Sequence, residues 1–159
     1  MADARVLHRL LLLFIIVGIA FSTYSAFETL YPAGRGVCSI NSYVNCGKVA
    51  SSAWATVGPF PDWSVGLGGF LILLALDIPL IRTYDPRLLT WVLAFATLGL
   101  TVAVVFGSIE VLLIHAFCPI CLGAYISDLG VFVVALTLYR QHRAQLAERA
   151  RRRAEASSG

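Results

Sequence analysis

Four runs of apolar residues, each near the length of a bilayer's hydrocarbon core, leave this chain very few folds. They cover Leu10–Leu30, Val65–Ile81, Leu88–Ala116 and Pro119–Tyr139. A helix needs about 20 residues to cross that core. The second run is short and the third long, which predicts tilt or local adjustment of the bilayer. With 58% hydrophobic and 13% charged residues, a soluble domain would expose large apolar patches. The reading is an all-α integral membrane protein, a four-transmembrane-helix bundle over residues 10–139. Its one long extracytoplasmic loop spans about residues 31–64.

The net charge of +3 gains meaning once the twelve Lys and Arg residues are placed on that frame. Arg5, Arg9, Arg82, Arg87, Arg140, Arg143, Arg149, Arg151, Arg152 and Arg153 fall on one side, and only Arg35 and Lys48 on the other. Cytoplasmic segments carry the excess of Lys and Arg. Both termini (residues 1–9 and the basic tail 140–159) and the Tyr84-Asp85-Pro86 turn are therefore expected in the cytoplasm. Topology and anionic lipid account for the basic tail, so no nucleic-acid partner is expected. The first run starts like a signal peptide, but its apolar character continues through Phe21, Tyr24 and Phe27 to Leu30. That exceeds an h-region of about 7–15 residues, and a retained helix is expected.

The long loop is rich in Gly, Ser, Pro and Asn, with Tyr31, Tyr43, Trp54, Phe60 and Trp63 spread along it. Amphipathic rings settle at membrane interfaces. A short interfacial helix is expected over Val49–Val57, ended by Pro59 and Pro61. Beyond Arg140 an Ala/Arg/Gln stretch favours helix and is expected to fray at Glu155–Gly159. Gly66-Leu-Gly68-Gly69 reads as a close helix-packing face, not a phosphate loop.

Four cysteines carry the chemistry. Cys38 and Cys46 lie in the long loop, and Cys118-Pro119-Ile120-Cys121 opens the fourth span. All four fall on the face expected to meet the oxidising compartment. Proline suits a first helical position, where its missing N–H would be unpaired anyway. Cysteines three apart on one turn are neighbours within reach of a disulfide. The free N–H groups of a helix start stabilise a thiolate, and Cys121, one turn in, is expected to be the nucleophile. A CxxC so placed points to redox work. Two other uses of four cysteines stay open. Static disulfides suit Cys38 and Cys46, whereas a Cys118–Cys121 bridge closes too small a loop to stabilise much. Zinc prefers two short knuckles, and the Cys38/Cys46 spacing is wide for one.

The segment Cys38-Ser-Ile-Asn-Ser-Tyr-Val-Asn-Cys46, with Ser52 and Trp54 after it and Cys118-Pro-Ile-Cys121-Leu-Gly-Ala-Tyr125 further on, resembles the vitamin K epoxide reductase family. It is most similar in kind to bacterial members that make disulfides at the expense of quinone. The resemblance implies a membrane thiol:quinone oxidoreductase using a quinone of the ubiquinone, menaquinone or vitamin K type, and no metal. It implies that Cys121 reacts with quinone, that Cys118 is its partner, that Cys46 forms a mixed disulfide with Cys118, and that Cys38 meets the substrate thiol. Ser52 and Tyr125 match residues lining the family's quinone pocket. Asp62 falls where vertebrate members carry an asparagine that hydrogen-bonds a quinone carbonyl; an ionised aspartate only accepts hydrogen bonds and could not do so. Many bacterial relatives carry a fused thioredoxin-like domain. This chain ends soon after its fourth span, so a separate thioredoxin-like protein is expected as electron donor. The resemblance also implies a bacterial cell membrane, with the cysteines on its outer face. Two rival readings are an epoxide reductase of a eukaryotic host and a non-enzymatic membrane protein stapled by disulfides.

Other residues have blander uses beside these. Tyr125 follows Cys121 by one turn and points the same way, as a belt tyrosine also would. Ser52 suits a helix N-cap. His115 is close enough to the CxxC in sequence to carry protons, although interfacial histidines usually do nothing so specific. Glu28, Asp77, Glu110 and Asp128 fall in or at the ends of spans, where carboxylates are costly and mark function or water-filled gaps.

Overall fold

The computed structural model describes residues 4–31, 38–83 and 85–158. Residues 32–37 of the predicted loop, Arg35 among them, and Tyr84 of the predicted turn lie outside the described residues. Four helices are long and apolar enough to cross a membrane. In a bilayer each backbone N–H and C=O must find its partner within the chain, and helices meet that demand locally.

The elements run α1 (Ala4–Leu30), α2 (Cys46–Ala50), β1 (Thr56–Val57), β2 (Phe60–Pro61), α3 (Asp62–Thr83), α4 (Pro86–Ile109), a π-helical turn (Glu110–Ile114) and α5 (Pro119–Ser158). The long helices pack in a ring, α1 against α3 and α5, α4 against α3 and α5. The first span is thus a structural member of the bundle, with Leu11 and Ile15 fully buried. The second span is longer than its apolar run, because α3 starts at Asp62 and covers 22 residues. Asp85 caps α4 by accepting a hydrogen bond from Arg87 N, with Pro86 at the first turn.

Packing concentrates at the end of the bundle away from the cysteines. Leu11, Ile15, Leu80, Val92, Val131 and Ala135 form its centre, all at 1% exposure or less. Small residues bring α1 and α5 together. A Cβ on Gly123 or Gly130 would sit 2.5 Å from the ring of Phe21 or Phe14. Without water to expel, helices in lipid associate through such close fits. The same end buries His8 and Asp77, whose Nδ1 and Oδ1 lie 3.6 Å apart.

Three expectations are corrected. The helix predicted over Val49–Val57 is instead α2, ending at Ala50, followed by a β1–β2 hairpin. Asn45 starts α2 early by accepting from Lys48 N at 2.8 Å. The hairpin turns at Gly58, whose φ of +62° suits glycine. The tail does not fray at Glu155, since α5 continues for 40 residues to Ser158. Its run of Ala, Arg, Gln and Glu has high helix propensity, so the ordered span extends itself. The third span does not run unbroken to Ala116, because α4 loosens into the π turn and His115 turns left-handed at φ 50°, ψ 45°.

Candidate functional site

The cysteine end is assembled by a backbone clasp. Phe117 N donates to Tyr43 O at 2.7 Å and Asn45 N to Phe117 O at 3.1 Å. Loop residues 43–45 are thereby stitched to the segment just before α5. Within the loop, Asn41 Oδ1 accepts from Tyr43 N and Val44 N at 2.9 and 2.7 Å, holding a tight Asx turn. Lys48 Nζ reaches His115 O at 3.3 Å from the other side. These bonds bring Cys46 against Cys118, residues 72 apart in sequence.

The result is a row of sulfur atoms. Cys38 and Cys46 are joined in a disulfide with Cα atoms 5.5 Å apart, and Cys118 and Cys121 are free thiols. Cys118 Sγ lies 3.3 Å from Cys46 Sγ and 2.7 Å from Cys121 Sγ. Thiol–disulfide exchange requires a thiolate to reach a disulfide sulfur, and this spacing permits it. Cys38, Cys46 and Cys118 are buried, at 7%, 4% and 4% exposure. The carboxylate of Glu28, also buried, lies within 4.8 Å of both loop sulfurs.

The helix start acts on a different cysteine from the one the sequence favoured. Cys121 N donates to Cys118 Sγ at 3.2 Å, so Cys118 occupies the N-cap and its sulfur receives the free N–H. The free N–H of the helix start therefore binds the sulfur of Cys118 and not that of Cys121. What distinguishes Cys121 is its position on a cavity wall.

That cavity, of about 400 Å³, opens among all four long helices. Phe21, Phe70, Phe95 and Phe106 supply apolar walls, and Asp62, Cys121, Tyr125 and Asp128 its few functional groups. Its size falls in the range of about 300–1,000 Å³ usual for small-molecule sites. The Gly66, Gly68 and Gly69 run forms the predicted packing face only at Gly66, where a Cβ would lie 3.2 Å from Ser22 Oγ of α1. Gly68 and Gly69 have nothing within 4 Å of a would-be Cβ, and all three border the cavity. Missing side chains here make room. On the opposite wall Gly99 faces Asp128, whose Oδ1 would lie 2.7 Å from a Cβ at that position.

The predicted site residues separate clearly. Cys121, Tyr125 and Asp62 meet at the cavity. Cys46 and Cys118 adjoin a small space behind it, which Asp62, Cys121 and Glu28 also border. Asp62 heads α3, where its Oδ1 accepts from Trp63 N at 2.7 Å. Ser52 borders neither space, and its hydroxyl donates to Val49 O at 2.8 Å instead of capping a helix. His115 is exposed and borders neither.

Glu110, expected from its position two turns before the CxxC to lie near the pocket, is drawn into direct contact with the site. It is 5% exposed, it begins the π turn, and it touches both the CxxC and the tyrosine. Its Oε1 accepts from Tyr125 OH at 2.8 Å and its Oε2 from Cys118 N at 3.3 Å. The other signal was a carboxylate inside an apolar run, which is a functional pointer by default. Its reach to Cys118 depends on the π turn, since Ala116 N bonds back to Glu110 O at 3.1 Å and shortens the path.

A helical membrane bundle with a dithiol on the wall of an apolar cavity, and a disulfide touching that dithiol, defines a membrane oxidoreductase. Residues 9–136 match the vitamin K epoxide reductase family, and the chain belongs to it. Comparison with curated proteins returns no match. Proteins of this family act with quinones. The cavity suits such a group in being mostly apolar, lined by several aromatic residues, and bordered by one thiol and one phenol.

Proposed function

We propose that this protein oxidises the dithiol of a separate thioredoxin-fold protein and passes the electrons to a quinone in the bilayer. The observation that carries the proposal is the sulfur row, with Cys121 on the cavity wall and Cys118 between it and Cys46. A quinone supplies an acceptor for two electrons and two protons. Phe95, Phe106, Tyr125 and Asp62 are among the residues that would hold it.

The residues act in sequence. A partner thiolate attacks Cys38, breaking the Cys38–Cys46 bond and freeing Cys46. Resolution by the partner's second thiol leaves Cys38 and Cys46 reduced and the partner oxidised. When Cys118–Cys121 is the oxidised pair, the Cys46 thiolate attacks Cys118 and releases Cys121, and Cys38 then closes on Cys46. Cys118 and Cys121, now reduced, give two electrons to the cavity's acceptor and rejoin as a disulfide. Each exchange is an attack by a thiolate on a disulfide sulfur. Because Cys38 is buried, the loop must part locally to admit a partner.

Orientation follows from charge. Lys48 is the only Lys or Arg at the cysteine end among the described residues, while arginines flank the other ends of the helices. This asymmetry supports both termini in the cytoplasm and the cysteines on the outer face of a bacterial cell membrane. Ser52 has no part in the proposal.

The test is anaerobic turnover of purified protein with a reduced thioredoxin-fold donor and a soluble quinone, followed by quinone absorbance. Loss of absorbance that requires all four cysteines is the expected result. Turnover that survives replacement of Cys118 and Cys121 by serine would overturn the mechanism.

A further inference from the structure

We propose that Glu110 is the catalytic proton carrier of the quinone step, taking the proton of the Cys121 thiol and returning it through the Tyr125 hydroxyl. The inference rests on the quinone reading above and adds a residue and a route to it. Two groups hydrogen-bond to this one carboxylate, the backbone of Cys118 and the hydroxyl of Tyr125, and the Cys121 thiol, 2.7 Å from Cys118 Sγ, is near enough to act on it. One carboxylate oxygen accepts from Cys118 N and the other from Tyr125 OH, so the group links the CxxC to the tyrosine. Buried and bonded to the CxxC backbone, it is placed to exchange a proton there.

The chemistry needs such a carrier. Oxidising the Cys118/Cys121 dithiol forms one S–S bond and releases two electrons and two protons. Reducing a quinone to a quinol takes up the same two electrons and two protons, one proton at each oxygen. The Cys121 proton moves to Glu110 as the thiolate forms. Tyr125 gives its hydroxyl proton to the nearer quinone oxygen and recovers one from Glu110, which ends ionised as it began. Cys118 loses the second proton as its sulfur bonds to Cys121, and the other quinone oxygen takes up one proton, so the count balances without Glu110 carrying both. The π turn is the structural device behind this arrangement, because it delivers the Glu110 side chain to the helix start eight residues on.

The titratable groups facing Glu110 are Cys118, Cys121 and Tyr125 from α5 and Asp62 from α3. From α2, Lys48 binds His115 O at the end of the π turn, and from α1, Glu28 lies beside Cys46. Any pH dependence must be read against these.

The experiment compares wild type, Glu110→Gln, Glu110→Asp and Tyr125→Phe in detergent-solubilised, fully reduced protein. Without quinone, the rate of Cys121 alkylation is followed against pH by mass spectrometry. Wild type should show two inflections and Glu110→Gln only one, because the amide cannot exchange a proton with the thiol. With a soluble quinone, Glu110→Gln should slow single-turnover oxidation of the dithiol by about 10²-fold, as loss of a general base does. Glu110→Asp, which keeps a carboxylate, should recover part of that rate, and Tyr125→Phe should lose rate while keeping both alkylation inflections. If Glu110→Gln does not fold, the Glu110→Asp and Tyr125→Phe results decide the matter alone. Oxidation by Glu110→Gln within threefold of wild type, with an unchanged alkylation profile, would overturn the proposal. If wild type reduces no quinone yet shows the two inflections, the quinone reading fails and the thiol–carboxylate coupling stands.

Discussion

The two ends of this bundle are built on opposite plans. Away from the cysteines, α1, α3, α4 and α5 close on one another through Leu11, Ile15, Leu80, Val92, Val131 and Ala135, with His8 and Asp77 as a buried polar pair. At the cysteine end the same helices enclose a cavity of about 400 Å³, lined by phenylalanines and bordered by glycines, although α1 and α5 stay in close contact at Phe21 and Gly123. Helices associate by close fit in lipid, so a bundle can hold a cavity at one end only if the other end is well packed. The comparison assigns stability to one end and chemistry to the other.

The strongest way to break that division is Cys121→Ser. It should abolish thiol-dependent quinone reduction and leave the melting temperature of the solubilised protein unchanged; a shared loss of both would show that the ends are not separable. Next comes Leu80→Ala at the packed end. Leu80 is 1% exposed, and truncation should cost about 2–5 kcal/mol in a reversible unfolding measurement, with turnover per folded molecule unaltered. Asp77→Ala, which leaves His8 without that partner, should cost about 1–3 kcal/mol by the same measurement.

Smaller effects sharpen the line between the ends. Gly99→Ala sets a Cβ 2.7 Å from Asp128 Oδ1, so the carboxylate must shift toward the cavity. Its expected signature is a KM for quinone about tenfold higher, measured at fixed donor concentration. His115→Gly should do least. The exposed histidine already holds a φ of 50°, which glycine adopts freely, so stability should move by under about 1 kcal/mol. Turnover should stay within about twofold; a larger fall would give His115 the proton-carrying role argued for Glu110.

Much of the architecture was legible along the chain because it depends on local quantities. Apolar runs near 20 residues long mark spans whatever their neighbours do. Pro119 after Cys118 marks a helix start by its own covalent geometry, and α5 begins there. Arginines at Arg5, Arg82, Arg87 and Arg140 and cysteines at the far ends of the spans put the two sets apart before any packing was known. The same local reasoning failed where two signals competed. Asn45 captured Lys48 N and started α2 before Val49, and Ser52, suited to a cap, bonded backward to Val49 O.

From its sequence alone this protein was determined to be a four-span membrane bundle with a CxxC at one helix start and a resemblance to a quinone-using family. Only the tertiary structure decided which groups meet. The strand-like clasp between Tyr43, Asn45 and Phe117 put Cys46 beside Cys118. Of the α3 glycines, Gly68 and Gly69 proved to open onto a cavity, while Gly66 packs against Ser22 of α1. A π turn ending in a left-handed His115 carried Glu110 to Cys118 and Tyr125. The physical reason is one of range: hydropathy and helix starts are set by residues a few positions apart, whereas a hydrogen bond or sulfur contact is decided to within an ångström by how separate helices and loops pack.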